Sequence, residues 1–405
     1  MRLFFLLLLL LLFDIYVFQA FSSIAQTWTK TNKYLLYGFY WAIPAMTLGL
    51  LLALQTGQLS RHVFFLLRAI LMIAYLSKLL VAGVLIIDDI RRLFVGTFEA
   101  VAGSQGFNHG RSQFMAQLGV ILGAVPFATL AYGIIRNRHR YTILRETVRI
   151  DRLPKALEGL RIVHISDIHS GSFTLKEPVR SAIDLINQQK ADLVFFTGDL
   201  VNSVAAEMEQ FIDVFDKIKA RFGTFSVLGN HDYGDYVRWN SPEEKRQNFQ
   251  LLLDTHQQMG WDLMLNENRI LDIEGEKVAI IGVENYSAHP RFPQYGKLAD
   301  AHQGTEGAAI KLLLSHDPSH WEDEVVKGFQ DIDITFSGHT HGFQFGIEIP
   351  GWIKWSPVKY VYKQWAGLYQ QGRQFLYVNR GLGYLGYPGR VGILPEITVI
   401  DLQKA

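Results

Sequence analysis

Four apolar stretches lie within the first 135 residues, and each is close to the roughly 20 residues a helix needs to cross a hydrocarbon core. A soluble fold has no use for so much contiguous apolar surface, so this part of the chain is built for a bilayer. Tyr34 to Leu54 and Met115 to Ile135 hold no charged side chain, and each carries one proline, Pro44 and Pro126, of the kind membrane helices tolerate. Val63 to Ile87 is apolar apart from Arg68 and Lys78. Ions are costly in lipid unless paired or snorkelled to an interface. Asp14, Asp88 or Asp89 are the available partners, so a structural ion pair inside a small bundle is the simpler reading and a buried polar relay the sharper one. Leu3 to Phe21, interrupted by Asp14, reads as a retained helix; Arg2 and the apolar run to Phe13 would also suit a signal peptide, but no small-x-small cleavage site follows.

The charge distribution marks the other boundary. Residues 1–135 hold 13 of the 77 Lys, Arg, Asp and Glu, about 10%, whereas residues 136–405 hold 64, about 24%, close to the composition of ordinary soluble domains. The chain therefore reads as a transmembrane region (spans near 3–21, 34–54, 63–87 and 115–135), a basic juxtamembrane connector over 136–157, and one soluble domain over 158–405. Arg136, Arg138, Arg140, Arg145, Arg149, Arg152 and Lys155 join Arg2 and Arg61 on one side of the four spans, against Lys30, Lys33, Arg91, Arg92 and Arg111 on the other. The positive-inside rule then predicts a cytoplasmic soluble domain. Residues 136–405 together have thirty basic and thirty-four acidic residues, which is unlike a nucleic-acid binder. Cysteine is absent, so any metal must be held by nitrogen and oxygen ligands.

From residue 156 onward, short β-rich runs alternate with amphipathic helices. Arg161 to Ser166, Leu193 to Thr197, Phe225 to Leu228, Val278 to Gly282, Lys311 to Ser315, Ile332 to Phe336, Phe375 to Asn379 and Ile397 to Leu402 read as strands buried on both faces. Leu175 to Lys190 and Ala205 to Lys219 have apolar residues at helical spacing, and Ser241-Pro242-Glu243-Glu244 is a capping box opening a third helix. This is the pattern of an α/β domain whose sheets are covered by helices.

Metal-ligand side chains recur where the strands end: Asp167-Ile168-His169, Gly198-Asp199, Gly229-Asn230-His231-Asp232, Ser315-His316-Asp317 and Gly338-His339-Thr340-His341-Gly342. Ligands of α/β sheets bind beyond the carboxyl ends of the strands, so these groups should converge. Each motif alone is commonplace, a His or Asp after a strand being usually a satisfied loop residue; five in order, each at a strand end, are not. Aspartate, asparagine and histidine suit Mn, Fe, Zn or Mg. So many donors exceed one tetrahedral ion and fit two metals about 3.5–4 Å apart, the arrangement that clamps both oxygens of a phosphoryl transfer. In an extended segment the alternate residues of Asp167-x-His169 and His339-x-His341 would face one side. The flanking glycines would let the backbone turn sharply.

These motifs, with Asn379-Arg380-Gly381-Leu382-Gly383 and Arg390 to Ile397, resemble the calcineurin-like metallophosphoesterase superfamily over roughly residues 158–403, within it the membrane-associated bacterial branch. The resemblance implies a four-layer αββα domain and two divalent metals, one on Asp167, His169, Asp199 and His341 and one on Asp199, Asn230, His316 and His339. It implies attack by a hydroxide shared between the metals, His231 as proton donor to the leaving oxygen, and Asp232 as the group that orients the His231 ring. It also implies a bacterial inner-membrane phosphohydrolase, and hydrolases of UDP-diacylglucosamine are similar in domain type. Many relatives continue the last motif with Gly-Gln, where this chain has Phe343-Gln344, which puts the shape of the cleft in question.

Anchoring at the bilayer points to a phosphorylated small molecule or lipid-linked substrate. A phosphodiesterase or phosphatase for soluble nucleotides and a non-catalytic sensor or scaffold are the alternatives; the retained ligand set and His231 weigh against the scaffold. A transporter is weaker, since the short-looped spans show no repeat. The loop Ala288 to Gln303, with His289, Arg291 and Lys297, either holds a second phosphate or is merely solvated. Gly351 to Tyr369 interleaves Trp and Tyr with Lys354, Lys359 and Lys363, a composition shared by membrane interfaces and ordinary cores. His164 reads as a core histidine, and His62, His109, His302 and His320 show no partner in the sequence.

Overall fold

The computed structural model describes residues 2–56, 61–102, 109–349 and 351–405. The side chains of Arg61, His62, His109 and Arg111 lie outside the described set. The chain forms two compact units, Met1–Ile135 and Arg136–Ala405.

The first unit consists of helices α1 (Arg2–Ile24), α2 (Lys30–Thr56), α3 (Arg61–Ala102) and α4 (His109–Ile135). All four are long and apolar enough to span a bilayer. The protein is therefore a membrane protein. Helix α3 runs well past the expected 63–87, its apolar window extending over Leu66–Val95. Inside the bundle the Lys78 ammonium lies 2.6 Å from Asp14, which also accepts from the Tyr75 hydroxyl at 3.0 Å. Asp88 is held by Arg91 and Arg92 of its own helix, and Arg68 stays exposed. The internal charges thus form the structural ion pairs that lipid demands.

The second unit stacks two mixed six-stranded sheets. In the first, β1 (Thr142–Ile150) runs parallel to β14 (Glu396–Lys404), which is antiparallel to β2 (Arg161–Ile165); β3 (Leu193–Phe196), β4 (Thr224–Ser226) and β5 (Asp262–Leu263) continue parallel to β2. The second has the order β12 (Gly367–Gln371), β13 (Gln374–Val378), β9 (Ile334–Ser337), β8 (Ile310–Leu314), β7 (Glu276–Gly282), β6 (Glu267–Ile273), with β13, β9, β8 and β7 parallel. A hairpin, β10 (Ile347–Ile349) and β11 (Ile353–Trp355), stands apart from both.

Period-2 alternation decides which layer each strand residue enters. Ile162, Leu193, Phe195 and Ile400 pack between the sheets against Ile280, Leu312, Leu314 and Phe336. Val163, Ile165, Val194 and Phe196 face the opposite way, onto Val179, Ile183 and Ile186 of helix α5 (Lys176–Gln188). Ala279, Ile281, Leu313 and Val378 meet Trp321 and Val325 on the far side. The result is the expected four layers, αββα. His164 is a core histidine: its Nε2 is 2.8 Å from Thr197 Oγ1, and burial pushes its pKa down to about 3.

Two expectations need correction. The stretch 136–157 is not a connector outside the domain, because β1 pairs residue for residue with β14. Its arginines misled: Arg145 and Arg149 occupy the exposed face of an edge strand whose Val148 and Ile150 are buried, and charge on an edge strand protects against unwanted pairing. Ala205 to Lys219 is not one helix but a 3-10 turn (Ala205–Met208) followed by one short α turn, α6 (Ile212–Phe215). Met208, Phe211 and Phe215 still reach the core, and the Asn187 side chain bonds both Lys217 O and Lys219 N, ending the helical path there. The predicted capping box does form: Ser241 Oγ accepts from Glu244 N at 3.1 Å and opens helix α7 (Pro242–Gln258).

Candidate metal centre

The carboxyl ends of β2, β3 and β4 in one sheet and of β8 and β9 in the other release the five polar loops. Two groups of donors form where they meet. Asp167, His169 and His341 constitute the first; Asp199, His316 and His339 the second. Asp199 lies between them, its Oδ2 3.4 Å from His169 Nε2 and 3.2 Å from His316 Nε2. His341 Nε2 is 3.0 Å from His169 Nε2 and 3.2 Å from Asp167 Oδ1. Asn230 adjoins the second group: its Nδ2 donates to Tyr236 at 2.9 Å, while its buried Oδ1 has no hydrogen-bond partner among the described residues. An orphaned buried carbonyl oxygen is costly unless a cation or water satisfies it. Two carboxylates, four imidazoles and one orphaned amide oxygen fit a pair of divalent cations.

The backbone achieves this convergence differently from the extended path expected of D-x-H and H-x-H. Asp167, His169, Asp199, His339 and His341 all have left-handed conformations, with φ of 51°, 47°, 60°, 68° and 50°. For residues with a Cβ this costs roughly 1–2 kcal/mol each. Strain concentrated on the candidate ligands is the signature of a site held in place by its surroundings. Gly229 and Gly338 give the necessary room: a Cβ on the first would strike the Asp199 carboxylate, and on the second Ser166 Oγ and the Asp167 carboxylate.

Hydrogen bonds fix which ring nitrogen faces the centre. His169 Nδ1 lies 3.2 Å from the Val201 carbonyl and His316 Nδ1 2.7 Å from that of Thr197, so both turn Nε2 inward. His339 is the reverse. Its Nε2 lies 2.8 Å from the Tyr362 hydroxyl, which itself donates to Asp317 Oδ2 at 3.1 Å, and Nδ1 faces His316. Partners of this kind set tautomer and basicity in metal sites.

Electrostatics follow from burial. It pushes His169 down to about 3 and His339 to about 4, and holds His341 well below the usual imidazole range, leaving neutral rings with free lone pairs. Burial alone would raise Asp199, but His316, His231 and His169 hold it well below the usual carboxylate range. Burial opposes a proton on His316, yet Asp199 and Asp167 raise it to about 10. Burial, with Asp199 adding to it, lifts Asp167 to about 6.

The structure reassigns Asp232. Its carboxylate does not meet the His231 ring; it accepts the backbone N–H groups of Asp199 (2.9 Å), Leu200 (2.9 Å), Val201 (3.3 Å) and Gly229 (2.8 Å). It therefore ties the Gly198-Asp199 loop to the Gly229-Asn230 loop. The group that orients His231 is the Asn202 carbonyl, 2.6 Å from its Nδ1. His231 packs edge-on to His169 with ring centroids 5.0 Å apart, and its N–H donates to Asp199 at 2.8 Å.

Sequence reasoning gave Asn202, Tyr362, Tyr236 and Arg390 no role at the centre. Asn202 acts through its backbone, which leaves no mark on residue identity. Arg390, fully buried, lies 3.5 Å from His341 Nδ1 and binds the carbonyls of Arg380, Gly381 and Gly383, and burial lowers its pKa to about 10. The basic loop does reach the centre: the Phe292 and His289 rings lie 4.7 Å from those of His339 and Tyr362 respectively. Asn285 braces that loop through Pro293 and Tyr295. His302 and His320 have partners after all, Asp331 at 3.0 Å and Glu324 at 2.9 Å.

Comparison with known proteins agrees with this architecture. Residues 160–343 match the family model of calcineurin-like phosphoesterases, and residues 1–138 match a model described as the transmembrane domain of calcineurin-like phosphoesterases. The metallophosphoesterase YkuE of Bacillus subtilis (strain 168) is 28% identical over 303 residues, covering 73% of this chain and 98% of its own. A transmembrane protein with a metallophosphoesterase domain from Danio rerio is 28% identical over 297 residues, 70% of this chain and 63% of its own length. The phosphodiesterase YaeI of Escherichia coli (strain K12) is 27% identical over 246 residues, 60% of this chain and 82% of its own.

Proposed function

Since the chain belongs to the membrane-associated calcineurin-like metallophosphoesterases, we propose that it hydrolyses a phosphodiester or diphosphate bond of a lipid-linked substrate, with its catalytic domain on the cytoplasmic face of a bacterial inner membrane. The observation that carries the reaction is the pair of donor groups meeting at Asp199, with the orphaned Asn230 Oδ1 beside them. Asp167, His169 and His341 with Asp199 would hold one divalent cation, and Asn230, His316 and His339 with Asp199 the other. Two such ions supply a nucleophilic water at neutral pH and Lewis-acid charge for the phosphoryl oxygens.

The chain's own groups do the rest. His231 has Nδ1 committed to the Asn202 carbonyl, so its Nε2 is the proton-carrying atom that meets a leaving oxygen. The carbonyl accepts Nδ1–H whether the ring is neutral or cationic, and so steadies both states. Tyr362 and Asp317 keep Nδ1 of His339 turned to the centre. Arg291, exposed on the loop that brackets the centre through Phe292, would pair with a further phosphate oxygen. The membrane unit supports a lipid-linked substrate, nine positive charges on one side of the spans support the cytoplasmic placement, and the name of the Escherichia coli relative supports a diester.

Turnover of an aryl phosphodiester by purified full-length protein with Mn tests the reaction. Asp199→Ala should abolish hydrolysis. Undiminished hydrolysis in that variant would overturn the reading. Labelling, from outside intact cells, of a cysteine placed in the soluble domain of this cysteine-free chain would overturn the cytoplasmic placement.

A further inference from the structure

Beyond His341 the chain carries an inverted amphipathic segment. Phe343, Phe345, Ile347 and Ile349 are exposed by 61%, 39%, 51% and 42%, whereas Gln344 and Gly346 between them are buried and Glu348 is half-buried. The inward side chains are polar and fully engaged. Gln344 bonds the Tyr387 and Gly389 carbonyls and the Leu385 N–H, and Glu348 makes a 2.6 Å ion pair with Arg380. Soluble domains turn such alternation the other way, charges outward and large apolar groups inward. Trp352, at the turn of the hairpin, is 76% exposed.

The backbone shows that this outward display is maintained against its cost. Phe343 has φ of 58°, a left-handed conformation that a bulky side chain rarely adopts. The segment is pinned from beneath: Gly346 donates to Val391 O, and Ser356 Oγ to Gly342 O at 2.8 Å. It is therefore a fixed apolar ledge two residues from a candidate metal ligand.

We infer that this ledge is a lipid-contacting surface, seated in the interfacial layer of the bilayer to which the chain is anchored. Three observations select lipid as the occupant. Only six residues separate helix α4, ending at Ile135, from the start of β1 at Thr142, so the domain is tied by a short link to a segment apolar enough to span the bilayer. The ledge combines Trp352 and Tyr360 with exposed Lys359, the pairing of amphipathic rings and cations that suits headgroup depth and anionic lipid. It begins two residues after His341, so insertion would bring the cleft toward headgroup level. The aromatic segment thus divides: Tyr362 and Trp365 are buried beneath, and Trp352 and Tyr360 face out.

The inference rests on membrane anchoring, not on the identity of the substrate. Its test uses full-length protein in liposomes of phosphatidylethanolamine and phosphatidylglycerol, with nitroxide labels on Ile349→Cys, Trp352→Cys and, as a control on an exposed face elsewhere, Lys190→Cys. Continuous-wave power saturation should show the two ledge labels several-fold more accessible to oxygen than to a nickel chelate, with the reverse at the control. Equal nickel access at all three sites overturns the proposal. Shielding that disappears when the protein is diluted in lipid assigns the ledge to a second copy of the chain, and shielding seen only with an added acyl-bearing phosphate ester assigns it to substrate; both also overturn it. Ile347→Ser with Ile349→Ser should leave aryl phosphodiester turnover within about two-fold in detergent, a readout that fails separately if the proposed hydrolytic function is wrong.

Discussion

Asp232→Asn distinguishes a carboxylate that ties loops together from one that orients a ring. In the structure one oxygen receives N–H from Asp199 and Gly229 and the other from Leu200 and Val201. Asparagine retains a single acceptor oxygen, and whichever way the amide lies, its NH2 group confronts the other pair of donors. Two buried backbone donors lose their acceptor at about 1–3 kcal/mol each, or roughly 2–6 kcal/mol together. For a domain of this size, with a shift of about 2–4 °C per kcal/mol, the unfolding temperature should fall by roughly 5–20 °C. The loops that lose their tie carry Asp199 and Asn230, so more metal should be needed for half-maximal turnover. The ring of His231 keeps its Asn202 partner, so turnover at saturating metal should fall much less than in His231→Ala. Thermal unfolding of the full-length protein in detergent, followed by circular dichroism, and Mn titration of aryl phosphodiester hydrolysis measure both quantities. An Asp232→Asn protein that melts with the wild type yet loses a hundred-fold or more in turnover at saturating Mn would refute the reasoning and return Asp232 to the role of ring orienter.

Four further outcomes are expected. His231→Ala should lower kcat by about 10²–10⁴ with an alkyl leaving group and by much less with a nitrophenyl one, as befits general-acid help; equal losses would exclude it from that role. Tyr362→Phe removes the group beside His339 Nε2 and should weaken binding of the second cation about 10–100-fold, read by calorimetric Mn titration, with little change in folding. Phe343→Gly relieves a left-handed backbone and should stabilise the domain by roughly 1 kcal/mol, measured by thermal unfolding. His164 and His256 are fully buried, and burial depresses both to about 3 from an unfolded value near 6.5. Their depressed pKa values mean that unfolding takes up protons below pH 6.5, so stability present above that pH is lost as pH falls toward 3, by up to about 1.4 kcal/mol per histidine per pH unit. Urea unfolding at pH 7.5 and 5.5 should show the loss, and His256→Asn should reduce it.

The four helices and the strands that end at the centre were legible because each rests on a contrast visible in one dimension. Apolar runs contain few charges, and short donor residues interrupt runs of β-branched and aromatic ones. What escaped depends on three dimensions. Nothing in Asp167-Ile168-His169 announces left-handed backbone, since the residue that normally signals it, glycine, is absent from those positions. Asn202 contributes a carbonyl that any residue would possess. Tyr362 stands among aromatic neighbours of quite different fates, some buried and some exposed, and only its hydroxyl's distance to His339 separates it from them. Strand β1 was hidden by arginines that a membrane-flanking position explains equally well. Asp232 was misassigned because adjacency in sequence to His231 suggested adjacency of side chains, whereas consecutive residues on a turn point apart.

The insertion of β14 between β1 and β2 imposes a timetable on the ribosome. Among the described residues β1 pairs with β14 alone, and β2 has β14 along one edge and β3 along the other, so β1 and that edge of β2 wait for residues 396–404 to be made. At about 5–20 residues per second, translation from β2 to β14 occupies on the order of 10–50 s. During that interval the four helices have already been made and the nascent domain carries an open sheet edge. Premature termination ahead of β14 would therefore leave an anchored, sticky remnant, a species better suited to proteolysis at the membrane than to partial activity.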